Sequence, residues 1–284
     1  MLVVVAVALA LADGWFSSAD GTSGGRSFVP SDSRGAAVVW AVGDGADGGG
    51  RAARVARLIK RAGPDRVLYL GDVYESGTAG EFAQNFDSIY SSVAKRIAPT
   101  PGNQDWPRHA TGYDRYWERK QGRAIPRYYS FQTAGWEVLS LNSEIDHGAG
   151  STQVAWLRSK ARGRNTCRLA FWHRPRYSAG RVHGDAPDVQ PFWDVLEGHA
   201  AIVLAGHEHD MQRFEPRHGI TELVSGAGGH SLYGVHRRRD LAFANDSTFG
   251  ALRLRLSPGL ARFRFVSVAG RTLDSGKVRC RTIR

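Results

Sequence analysis

The chain alternates between short, wholly apolar runs and longer stretches in which apolar residues recur every three or four positions. Residues 36–42 (AAVVWAV) form an apolar run of strand length that ends in Gly43-Asp44. Residues 51–62 set Ala52, Val55, Leu58, Ile59 and Ala62 on one helical stripe, and Gly63-Pro64 stops it. The run 67–70 (VLYL) is again followed by Gly-Asp, here Gly71-Asp72. Residues 81–96 carry Phe82, Phe86, Ile89 and Val93 at helical steps, continued by Ile97, until residues 99–102 (PTPG) break the pattern and deliver Asn103-Gln104-Asp105.

Further strands are expected at 128–131, 137–141 and 168–172, the last running into His173, with helices at 151–161, capped by Ser151, and at 188–198. The run 201–204 meets Gly206-His207-Glu208-His209. Strands follow at 221–225, 251–256 and 261–268. The last two alternate Leu252, Leu254, Leu256 and Phe263, Phe265 with arginines, as half-exposed antiparallel pairs do. Strands that alternate with helices and then follow one another predict an α/β sandwich, two packed sheets flanked by helices.

At 284 residues and 42% hydrophobic composition, the chain holds enough apolar surface for a sizeable core. Lys and Arg number 38 against 27 acids, and the net +11 favours anionic partners, either phosphorylated small molecules or nucleic acid. The arginines are dispersed along the chain, and no zinc-finger spacing or RNA-binding motif accompanies them, which argues against nucleic acid. Residues 1–12 read as a signal peptide without the usual basic start, too short for a stable membrane span, so a secreted or extracytoplasmic location is expected. Residues 13–35, rich in Ser, Gly and Asp, read as a flexible leader, and the domain as residues 36–284. Cys167 and Cys280 fit a single disulfide if the fold brings them together, and two buried free thiols if it does not. The sequence sets no oligomeric state.

Composition alone names no chemistry; the strand ends do. A lone His-x-His is weak evidence for a metal, but Asp44, Asp72, Asn103, His173, His207 and His209 all fall just past an apolar run or in the loop after a helix. That is the edge at which open α/β sheets bind ligands. A mixed carboxylate, amide and imidazole set suits Zn, Mn or Fe and exceeds the needs of one tetrahedral ion, so two ions sharing a carboxylate are expected.

The blocks Gly43-Asp44, Gly71-Asp72-Val73-Tyr74, Gly102-Asn103-Gln104-Asp105, His173-Arg174-Pro175 and Gly206-His207-Glu208-His209 resemble, in order and spacing, those of the calcineurin-like metallophosphoesterases, and among them the purple acid phosphatase-like branch. The resemblance implies a four-layer α/β/β/α sandwich of two mixed sheets and hydrolysis of phosphate esters. It implies that Asp72 bridges two metals, that Asp44 and His209 bind the first, and that Asn103, His173 and His207 bind the second. Two such cations neutralise a phosphate and lower the pKa of a bound water, so the expected nucleophile is a hydroxide on the metal pair. Asp72, Asn103, Gln104 and His207 are the catalytic candidates. Gln104 and Arg174 are the substrate-binding candidates; Arg174 and Arg176 would add charge beside the phosphate or simply face solvent. The expected substrate is a phosphorylated small molecule, favouring a phosphomonoester.

Three departures from the family pattern bear on mechanism. Gln104 stands where the family carries a histidine commonly assigned as proton donor, and glutamine is no acid near neutral pH. His109, His147 and His183 are the candidate substitutes, and the alternative function is a catalytically weakened, metal-bound protein that holds phosphorylated ligands. Ala46 replaces a histidine that some members place two residues after the first aspartate. Glu75 stands where purple acid phosphatases supply a tyrosine ligand, with Tyr74 one residue early, either reaching the metal or packing in the core. The basic run Arg237-Arg238-Arg239 is expected in a solvated loop near the substrate rim.

Overall fold

The computed structural model describes residues 27–163 and 166–280. Its strands are β1 (Ala37–Val42), β2 (Arg66–Tyr69), β3 (Ile97–Pro99), β4 (Tyr129–Thr133), β5 (Trp136–Ser140), β6 (Cys167–Phe171), β7 (Ile202–Ala205), β8 (Met211–Phe214), β9 (Thr221–Ser225), β10 (Leu241–Asn245), β11 (Gly250–Ser257), β12 (Leu260–Ser267) and β13 (Thr272–Arg279). They form a six-stranded sheet ordered β13-β12-β11-β1-β2-β3 and a seven-stranded sheet ordered β10-β8-β9-β7-β6-β5-β4. Both are mixed. β1, β2 and β3 run parallel, with β11 antiparallel to β1. β5, β6, β7 and β9 run parallel, with β4 and β8 antiparallel at the flanks.

Side-chain alternation explains the layers. Leu169 and Phe171 of β6 point into the cluster shared with Val39, Ala41 and Leu254 of the other sheet. Ala170, and Trp172 just beyond the strand, point the other way, onto Val154, Leu157 and Phe192 of the helices Thr152–Ala161 and Gln190–Leu196. Strands buried on both faces read as continuous apolar runs, and for that reason the central strands are legible in the sequence. Helix α1 (Gly50–Arg61) buries Val55, Ala56 and Ile59 on the six-stranded sheet, completing an α/β/β/α order. No helix among the described residues is long and apolar enough to cross a membrane.

Several local expectations are revised. The helix expected over 81–96 is broken into short α, π (Phe82–Asp87) and 3₁₀ (Ser91–Arg96) turns, and Ile97 leaves its stripe to pair with Val67 in β3. Pairing with β2 buries Ile97 completely, so tertiary burial outweighs the local helical period. β10 and β13, absent from the apolar pattern, are edge strands whose residues stay half-buried or exposed, so ladder hydrogen bonds rather than burial define them. The helix Tyr113–Gln121 is also absent from that pattern because only Tyr113, Tyr116 and Trp117 face inward. Residues 1–12 lie outside the described residues, as does most of the leader. Its end, residues 27–35, is docked: Phe28 and Val29 are buried and the Asp32 amide donates to the Gln132 carbonyl at 2.9 Å.

Cys167, opening β6, and Cys280, just past β13, are joined by a disulfide with Cα atoms 5.4 Å apart. The bridge ties one sheet to the other and closes a loop of sequence separation 113. In the chain-entropy model such a closure contributes about 3–5 kcal/mol. Reduction, or Cys280→Ser, is therefore expected to lower the denaturant midpoint markedly. Equal midpoints with and without reductant would show the bridge to be energetically idle.

Candidate metal centre

The site lies where strands of both sheets run out. The Gly43 amide donates to the Ser225 carbonyl and the Asp44 amide to the Gly71 carbonyl, locking the exits of β1, β2 and β9 together. Asp44, Asp72 and His207 all adopt left-handed backbone angles, φ 59°, 68° and 69°. That conformation is costly for residues with a Cβ and tends to collect at functional sites. The glycines beside them are there for room: any side chain at Gly102 would collide with the Asp72 carboxylate, and one at Gly206 with that of Asp44.

Beside Asp72 several potential ligand atoms meet at His173. His173 Nδ1 lies 2.8 Å from the Leu70 carbonyl, which fixes the proton there and leaves a lone pair on Nε2. That Nε2 faces Asn103 Oδ1 at 3.0 Å, His207 Nδ1 at 3.0 Å and Asp72 Oδ2 at 3.5 Å. With the His207 proton on Nε2, all four groups turn lone pairs toward one point, a mixed imidazole, amide and carboxylate set that fits a metal. Asp44, Asp72 and His173 each offer an atom within 4.8 Å of the others.

The second cluster centres on Tyr74. Its hydroxyl lies 3.0 Å from Asp44 Oδ1, 3.2 Å from Asp72 Oδ2 and 2.8 Å from His209 Nε2. Ala46 explains how a tyrosine one residue early arrives there. Ala46 bridges to Val73, and its carbonyl accepts the Tyr74 amide at 2.9 Å, turning the ring inward. His209 Nδ1 lies 2.8 Å from the Ser231 carbonyl, leaving Nε2 with its lone pair toward Asp44.

Burial dominates the electrostatics. It holds the Asp44 carboxyl well above its ordinary range, with Asp72 repelling it further, and raises Asp72 to about 7. The same desolvation keeps His173 and His207 below the ordinary histidine range and lowers His209 to about 3. Neutral imidazoles are the ligating form, and a bound cation reverses the penalty on the carboxylates.

The remaining candidates divide. Gln104 donates its backbone amide to Asp72 Oδ1 at 2.9 Å. Arg174 is held by a bidentate pair to Glu144, both contacts 2.9 Å. Arg176 turns away, donating to Gln190 and lying over the Tyr177 ring. His109 is bound to Asp114 and stacked on Trp106, and His147 lies against Ile145 and Phe192. His183 instead stacks on His207, with ring centroids 3.9 Å apart. The run 237–239 is not simply solvated, because Arg238 clamps the Ser178 carbonyl, Asp185 and Asp240.

Other supports are not evident from the sequence. Asp105 accepts the amides of Asp72, Val73 and Gly102, bracing the loop that presents Asp72; its place inside the Asn103 block is the only hint. Glu208, fully buried, accepts the amides of His183 and Gly184. His230 stacks on Tyr74 at 4.0 Å and Tyr233 on His209 at 3.9 Å, both from the loop after β9.

A family model described as calcineurin-like phosphoesterase matches residues 37–211. A probable cyclic nucleotide phosphodiesterase from Synechococcus is 29% identical over 183 residues, covering 61% of this chain and 68% of that protein. Purple acid phosphatase 21 of Arabidopsis thaliana is 28% identical over 228 residues, 70% of this chain but only 52% of its own length. The solved purple acid phosphatase of yellow lupin seeds superimposes with a TM-score of 0.69 at 15% identity, over 85% of this chain and 53% of that one. The chain thus spans about half the length of these two phosphatases.

Proposed function

The chain belongs to the calcineurin-like phosphoesterase family, and from that premise we propose that it hydrolyses phosphomonoesters at a dinuclear centre of Fe, Zn or Mn. Asp44, Tyr74 and His209 would hold one ion, Asn103, His173 and His207 the other, and Asp72 both. The observation that carries this reading is the convergence of Asp72, Asn103, His173 and His207, with His173 Nε2 3.0–3.5 Å from a potential ligand atom of each of the other three. When bound, two such ions offset the charge of the phosphate and make water a usable nucleophile at neutral pH.

The protein's own groups do the rest. Leu70 and Ser231 hold the protons of His173 and His209 on Nδ1, so that Nε2 stays a ligand. The Gln104 amide steadies Asp72 Oδ1. In-line attack breaks the bond from phosphorus to the leaving oxygen, which must acquire a proton. Gln104 has none to give, whereas His183, stacked on His207 at the exposed side of the site, carries a transferable proton in its imidazolium form. His183 is thus our choice of proton donor, with Arg174 bordering the phosphate. The disulfide supports an oxidising, extracytoplasmic location.

Purified protein loaded with Mn, Fe or Zn is expected to release nitrophenol from p-nitrophenyl phosphate faster than from the bis-nitrophenyl diester. Two ions bound per chain by metal analysis, with no turnover of either ester, would favour the alternative that Gln104 motivates, a binder of phosphorylated ligands.

A further inference from the structure

The face formed by α1 and the segment from β11 to β13 carries the charge of the whole molecule. Residues 50–61 and 250–279 hold twelve Lys and Arg and a single acid, Asp274, a net charge equal to the +11 of the full chain. The rest of the protein is therefore neutral on balance. Dispersed along the sequence, these cations are neighbours in the fold. The Arg51 guanidinium lies 5.3 Å from the Phe249 ring, and Arg54, Arg57 and Arg61 line a depression of about 320 Å³ with residues 268–270 of the β12–β13 turn.

Within the sheet, like charges oppose one another. The strand register pairs Arg253 with Arg264, Arg255 with Arg262, and Arg262 with Lys277. Directly opposed like charges destabilise a sheet. The usual remedy is missing, because Arg54, Arg57, Arg255, Arg262, Arg264 and Lys277 have no carboxylate partner among the described residues. Asp274 does not serve, since it pairs with Arg213 of β8 at 2.7 Å. Arg255, Arg262, Arg264 and Lys277 are all exposed.

We infer that this face docks the protein reversibly on an anionic lipid bilayer, whose headgroup phosphates supply the counter-charge that the fold withholds. The cations spread in two dimensions, about 10 Å across three strands and about 15 Å along the helix, as an array of headgroups does. A single nucleic-acid strand would ask for a line of cations with aromatic platforms for its bases. No fully exposed ring is offered: Phe249 is half-buried beside Arg51, and Val182 is the only exposed large apolar side chain among the described residues. Without an apolar wedge the attachment is electrostatic and salt-sensitive. It stands apart from the metal centre, none of whose residues it uses.

Co-sedimentation of the full chain with vesicles tests this. Binding is expected to vesicles of about equal phosphatidylglycerol and phosphatidylcholine at low salt, with release near 0.5 M salt and no binding to phosphatidylcholine alone. The triple variant Arg255→Gln, Arg262→Gln, Arg264→Gln should bind roughly 100-fold more weakly, about fivefold per cation. It should keep its nitrophenyl phosphatase rate and an equal or higher thermal midpoint. The inference is overturned if the unaltered protein ignores anionic vesicles at low salt, if the folded variant binds them equally well, or if single-stranded DNA binds more tightly than vesicles at the same salt. Should the variant unfold, the composition and salt series on the unaltered protein decide.

Discussion

Asp72→Asn is expected to empty both metal positions at once while making the metal-free protein more stable. Asparagine keeps the shape but not the charge that both donor clusters share, His173 at 3.5 Å on one side and Tyr74 at 3.2 Å on the other. If about 10–16 kcal/mol of binding is divided among four donors, each is worth about 3 kcal/mol, or roughly 100-fold in affinity. On the proposed assignment Asp72 serves two ions, so the loss applies twice, and phosphatase activity should fall below detection at ordinary metal concentrations. Without metal the sign reverses. The folded protein holds the Asp72 proton up to about pH 7, whereas an unfolded aspartate releases it near 3.8. Between those values the folded state binds more protons than the unfolded one, so stability falls as pH rises through that window. The Asn variant lacks that slope and should exceed the parent protein in metal-free stability above pH 7 by on the order of a few kcal/mol. Metal content after dialysis and thermal unfolding in chelator check the two halves separately. A variant that retains both ions would remove Asp72 from the bridging position.

What the chain reveals of this arrangement follows from how each part is encoded. The central strands are buried on both faces, so their apolar runs mark the exits where Gly43-Asp44, Gly71-Asp72 and Gly206-His207 sit. The glycines are readable because a side chain at Gly102 or Gly206 would occupy carboxylate space. The carbonyls of Leu70 and Ser231, which set two histidine tautomers, are backbone groups and leave no trace in residue identity. His183, His230 and Tyr233 reach His207, Tyr74 and His209 by stacking from loops remote in sequence, with no spacing to betray them. Tyr74 marks the boundary case. Its displacement by one residue is plain in the sequence, but the Ala46–Val73 bridge that turns it inward belongs to the fold alone. The same holds for the arginines, whose gathering onto one face depends on α1 lying beside the β12–β13 turn.

His183→Ala is expected to separate substrates by their leaving groups. An alkoxide departs poorly without a proton, and a positioned acid typically contributes about 10²–10⁴ in rate; nitrophenolate leaves readily on its own. Hydrolysis of an alkyl phosphate should therefore fall by about that range, while p-nitrophenyl phosphate changes little. The geometry favours His183 over His109 and His147, whose rings are engaged elsewhere. Its loop is also held from two sides, by Glu208 beneath the His183 and Gly184 amides and by Arg238 on the Ser178 carbonyl. Burial, with added repulsion from His173 and Arg174, keeps the His183 pKa below the ordinary 6.5, and bound cations act in the same direction. Since the donor must carry its proton, the alkaline limb for alkyl phosphates should lie on the acid side of pH 6.5, and His183→Ala should abolish that limb. Placing Gln104→His in the His183→Ala background returns an acid to the neighbouring position beside Asp72 and should restore much of the alkyl phosphate rate. Equal losses on both esters would mean that His183 positions the phosphate or supports His207 rather than supplying a proton.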